Sequence, residues 1–74
     1  MPSLNSLPPQ RRELMRFIQR EVGNGRSFPS RKEIARHMNW RSAGSVVSAL
    51  QILSGQGFLA KRYESGRWYF SLEG

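Results

Sequence analysis

The sequence predicts an α+β domain of three helices closed by a C-terminal β-hairpin, and three observations carry that prediction. Apolar residues recur at helical spacing in three successive stretches, each bounded by capping or breaking residues. The second stretch opens on Ser30-Arg31-Lys32-Glu33, a capping box in which Ser30 caps the helix and Glu33 reaches back to the Ser30 N–H. The last stretch changes character. Phe58 to Tyr63 and Trp68 to Leu72 are rich in strand formers, and Ser65-Gly66 between them has turn chemistry.

Met1 to Ser6 read as a flexible lead, which places the domain at 7–74. Leu7-Pro8-Pro9 opens the first helix, where a proline's missing N–H would have had no partner. The helix runs to about Val22 and stops at Gly23-Asn24-Gly25. Leu14, Phe17, Ile18 and Val22 share one face; Arg12, Arg16 and Arg20 lie opposite. Residues 26–29 are extended, because Pro29 pushes its neighbour out of the helical region. A short extra strand is expected there, pairing with the hairpin, with Phe28 turned inward.

The second helix spans Arg31 to Met38. Ile34, Ala35 and Met38 face the core, Lys32 and Arg36 face out, and His37 is a solvated flank residue. A tight turn at Asn39-Trp40-Arg41 leads to the third helix, capped by Ser42. Ala43, Val46, Ala49, Leu50 and Leu53 cluster on one side of it. Gly44, Ser48, Gln51 and Gly55 lie opposite, with Ser45 and Ile52 on one shoulder and Val47 on the other. Gly55-Gln56-Gly57 ends the helix, and Leu59, Phe70 and Leu72 of the hairpin face the helices. Helix, turn, helix and hairpin, in that order, make a winged helix-turn-helix.

Seventy-four residues suffice for one small domain. With no cysteine there is no disulfide framework and no thiolate metal site. No apolar run is long enough to cross a bilayer, and Met1 to Ser6 have neither a basic head nor an apolar middle. A cytoplasmic protein without a membrane partner is expected. The chain has no Asp and a single His, so no catalytic constellation, metal site or cofactor site is predicted.

The charge points to an anionic partner. Twelve Lys and Arg face five acids, for a net +7, and ten of the twelve are Arg. Guanidinium offers a planar fork to phosphate oxygens, where Lys offers a point charge. A helix-turn-helix lays its second helix in the major groove of duplex DNA. Ser45, Val47, Ser48 and Gln51 are therefore the base-level candidates. Gln51 can grip adenine with two hydrogen bonds, and Val47 can meet a thymine methyl. The phosphate candidates are Arg26, Arg31 and Lys32 around the start of the second helix, Arg41 and Ser42 before the third, and Arg62 and Arg67 flanking the hairpin tip. From Ser42 to Gln56 there is no charged residue.

Pro29-Ser-Arg-Lys-Glu-Ile-Ala-Arg36, Trp40-Arg-Ser42, Leu50-Gln-Ile-Leu53 and the Gly57-Phe-Leu exit together resemble the DNA-binding domain of LexA-type SOS repressors. The resemblance extends from Leu7 to Leu72. It implies a winged helix that binds operator DNA through the start of the third helix. The family's Arg-Ser pair on the phosphate backbone is kept as Arg41-Ser42. Its base readers, an Asn and two Glu, are replaced by Gly44, Val47 and Ser48, so the family's operator sequence is not expected to carry over. The family's protease domain, with its Ser, Lys and main dimer contact, has no counterpart in these residues, and a stand-alone domain is expected.

Two functions follow. One is a small DNA-binding transcriptional regulator or repressor, of the kind carried by phages and mobile elements. The other is a protein-binding adaptor or inhibitor of a DNA-handling machine, using the uncharged third helix around Val47 and Ile52; homodimerisation through that surface is a third outcome. Val47→Ala separates them, because it costs little on DNA and about a kcal/mol or more at a packed interface.

Overall fold

The computed structural model describes residues 3–72. It contains α1 (Pro9–Gly23), α2 (Arg31–Met38), α3 (Ala43–Gly55) and an antiparallel hairpin of β1 (Leu59–Glu64) and β2 (Arg67–Leu72). Each helix begins where its first N–H donors are satisfied or missing. α1 has a proline in its first turn. α2 has the full capping box: Glu33 N–H donates to Ser30 Oγ at 3.1 Å, and Ser30 N–H donates to Glu33 Oε1 at 3.2 Å. In α3, Ser42 Oγ accepts the Gly44 N–H at 3.0 Å.

The last two helices end alike. Asn39 turns left-handed, at φ 59°, and lets Trp40 N–H reach back to Ala35 O at 2.8 Å. Gly57, at φ 88°, lets Phe58 N–H reach back to Leu53 O at 3.0 Å. This closure satisfies terminal carbonyls and returns an aromatic residue to the core at each end. Phe58 is buried, and Trp40 packs half-buried against the core. The turn after Asn39 thereby fixes how α3 leaves α2.

The core gathers Leu14, Phe17 and Ile18 of α1, Ile34 of α2, Val46, Ala49, Leu50 and Leu53 of α3, and Leu59 of β1. Phe28, Phe70 and Leu72 pack against it, as their positions predict. Met15 is also buried, next to the predicted stripe. Ala43 departs from expectation. It is exposed, as are all of residues 41–45, because the first turn of α3 projects beyond the core.

Two further expectations are corrected. Among the described residues the sheet has two strands only, and residues 26–29 are extended without pairing to it. The two ends of the segment cannot donate to a partner strand: Arg26 N–H turns back to Glu21 O at 3.1 Å, and Pro29 has no N–H. Leu4–Ser6 form a 3₁₀ turn capped by the Ser3 hydroxyl, Leu4 packs on the core, and Leu7 is buried. Met1 and Pro2 lie outside the described residues. His37 is no free flank residue. Its ring stacks on Phe17, with centroids 4.0 Å apart, and Nε2–H donates to Glu13 Oε2 at 2.8 Å.

The hairpin register pairs Leu59 with Leu72, Lys61 with Phe70 and Tyr63 with Trp68 on one face. Arg62 opposes Tyr69 and Glu64 opposes Arg67 on the other. Only the Leu59 end reaches the core. The outer half is clad by its own side chains: Tyr63 and Trp68 pack with centroids 5.0 Å apart, Lys61 Nζ lies 5.0 Å from the Trp68 ring, and Arg62 lies 5.5 Å from that of Tyr69. Such cross-strand contacts support a ribbon that has no other sheet to lean on. No helix among the described residues is long and apolar enough to cross a membrane.

Candidate nucleic-acid interface

Burial of Val46, Ala49, Leu50 and Leu53 fixes the rotation of α3. The opposite ridge, Gly44, Ser48, Gln51 and Gly55, is therefore exposed, with Ser45 and Ile52 exposed on one shoulder. Val47, on the other shoulder, is half-buried. The four base-level candidates thus differ. Ser45, Ser48 and Gln51 present polar groups outward, and Val47 offers only part of its side chain. The helix is smooth at its start, since Gly44 has no side chain and Ser42 Oγ is drawn in to cap it. The Ser42 hydroxyl proton stays available to an outside acceptor.

The phosphate candidates differ in their surroundings. Arg31 and Lys32 are exposed in the first turn of α2, and Arg41 is exposed in the turn before α3. Arg31 and Arg67 line one cleft between the start of α2 and the wing, with Phe28, Pro29, Leu50 and Trp68. None of these four cations has a carboxylate within ion-pair distance among the described residues.

Two other phosphate candidates are engaged within the chain. Arg26 grips both oxygens of Glu21, at 3.1 and 3.2 Å, and the Glu21 side chain is only 13% exposed. Drawing Arg26 away would strand a largely buried carboxylate, so Arg26 holds the end of α1. Arg62 pairs with Glu64 at 2.8 Å, but both side chains are mostly exposed. An exposed pair is worth about 0–1 kcal/mol, so phosphate can compete for Arg62.

The α1 arginines divide as well. Arg12 donates to the carbonyls of Leu4 and Leu7, at 3.4 and 3.0 Å, and so secures the N-terminal turn. Arg20 lies 5.9 Å from the Phe17 ring. Arg11 and Gln10 line a groove with Gly44, Ser45, Ser48 and Ile52 of α3. Neither was a site candidate from the sequence, because periodicity assigns a residue to a helix face and not to a neighbouring helix. Among the described residues no group of three or more His, Cys, Asp or Glu side chains could hold a metal ion.

A family model described as the LexA DNA binding domain matches residues 4–67. The chain belongs to the LexA DNA binding domain family. It is an α+β winged helix, and the matched stretch runs from the N-terminal turn to the first residue of β2. The LexA repressor of Syntrophotalea carbinolica is 31% identical over 64 residues, which cover 86% of this chain and 32% of that repressor. The chain therefore spans about a third of the length of this curated relative. No solved structure matches it.

Proposed function

We propose that this LexA-family domain is a DNA-binding regulator that lays α3 in the major groove of duplex DNA. Ser45, Ser48 and Gln51 meet base edges, and Val47 offers a small apolar edge beside them. Arg31, Lys32, Arg41 and Arg67 hold the phosphates, the Ser42 hydroxyl donates to another, and Arg62 joins them by exchanging Glu64 for phosphate. Arg26 serves the fold first and the interface second.

The observation that supports this reading is the exposed, uncharged ridge of α3 in a chain whose cations at the start of α2, before α3 and on the wing have no acidic partner among the described residues. A ridge without carboxylates meets no repulsion from the polyanion, and cations without partners have no internal pair to break. Affinity should come mostly from the backbone, with modest discrimination from three short side chains. Fluorescence anisotropy on a random duplex at low salt tests it. A dissociation constant in the micromolar range or tighter is expected. Binding no better than about millimolar at low salt would end the DNA reading.

A further inference from the structure

We propose that Arg11 is a phosphate anchor that α1 lends to α3, forming with Ser45 and Ser48 a subsite for one phosphodiester of the bound DNA. The proposal rests on the DNA reading above. Arg11 stands in the first turn of α1 and lines a groove whose other wall is Gly44, Ser45 and Ser48 of α3. It is half-buried, and its Nε is fully buried without donating to any acceptor among the described residues. No carboxylate pairs with it there.

Its neighbour makes the contrast plain. Arg12 spends its guanidinium on two carbonyls of the N-terminal turn. Arg11 donates its own to no acceptor among the described residues. A buried donor left unmade is costly, and an apolar side chain of similar length would fill the same space without that penalty. Packing therefore does not explain an arginine here; an acceptor entering the groove cannot reach the buried Nε but meets the outer guanidinium nitrogens, a use no apolar side chain has.

The groove suits a phosphate. Gly44 lets a backbone approach closely, and the Ser45 and Ser48 hydroxyls add neutral donors beside the cation. α3 itself supplies no charge between Ser42 and Gln56, so the cation on this shoulder comes from another element. The groove lies between α1 and the ridge, and a phosphate held there would fix the register of the ridge on the duplex. Because its stem is buried, the guanidinium is held in place before the partner arrives.

Arg11→Met, which keeps the stem and removes the fork, is the test, read by duplex binding across salt concentrations and by thermal unfolding. Affinity for a fixed duplex should fall about tenfold at about 50 mM salt, and the log–log salt slope should become less negative by about one. The loss should be alike on unrelated duplexes, and the unfolding midpoint should hold or rise. Arg16→Met, roughly 140° around α1, should change the midpoint and slope little. Arg11→Lys should retain the wild-type slope, and Arg11→Gln repeats the test if the methionine variant fails to fold.

An unchanged slope in a folded, charge-neutral variant overturns the proposal, and wild-type binding then leaves the DNA reading standing. A lowered midpoint with an unchanged slope makes Arg11 a packing residue and overturns it too. A loss confined to one base pair makes Arg11 a base reader and overturns the phosphate assignment. If the wild type binds no duplex at all, the broader reading falls and takes this one with it.

Discussion

His37 ties α1 to α2 by stacking on Phe17 and donating to Glu13. The hydrogen bond from His37, more than the nearby arginines, holds the Glu13 carboxyl below its usual range. A carboxyl depressed in the folded state stabilises above its unfolded pKa, and that stability is lost as pH falls through the folded value. His37→Ala should therefore cost about 1 kcal/mol at neutral pH. It should also flatten the loss of stability between about pH 5 and pH 2, with urea denaturation as the measurement. This contact was illegible in the sequence, because it depends on how two helices cross. Gln51 was legible, since its place on the ridge follows from helical spacing alone. Gln51→Ala should relax base preference at one position by about 1–3 kcal/mol in a selection experiment, while leaving random-duplex affinity nearly unchanged.

At the scale of elements, caps and turns were read most directly. Ser30-Glu33 and Ser42 are local devices, and their hydrogen bonds form among the residues that announce them. The hairpin tip behaves the same way: Ser65 and Gly66 both take positive φ, at 53° and 79°, as a two-residue hairpin turn requires. The extra strand at 26–29 did not form, and both ends of that segment are poor pairing positions, since Arg26 N–H is committed to α1 and Pro29 has none. The internal partner of Arg26 was illegible for a related reason: Glu21 comes within reach only after the chain reverses at the end of α1. Gly55 gives an element-level prediction. It closes α3 with nothing within 4 Å of where a Cβ would stand. Gly55→Ala should stabilise the domain by about 1 kcal/mol in chemical denaturation, through helix propensity and a less disordered unfolded chain.

At the scale of the molecule, the excess of cations is sorted by use. Arg12 and Arg26 are employed in the fold, Arg62 is loosely paired, and the remaining Arg and Lys side chains, the phosphate candidates Arg31, Lys32, Arg41 and Arg67 with them, have no acidic partner among the described residues. Composition gave the sign of the partner and helical spacing gave the ridge. Neither distinguished a structural arginine from an available one, because that depends on which carboxylates and carbonyls the tertiary fold brings near. Arg11 is the extreme case, since its setting exists only where α1 meets α3.

The most direct test of the account is the salt dependence of wild-type binding to duplex DNA. The four cations proposed on phosphate, with Arg62 and Arg11 added, predict a log–log slope of about −4 to −5. A slope shallower than about −1 would contradict a phosphate-clamped helix.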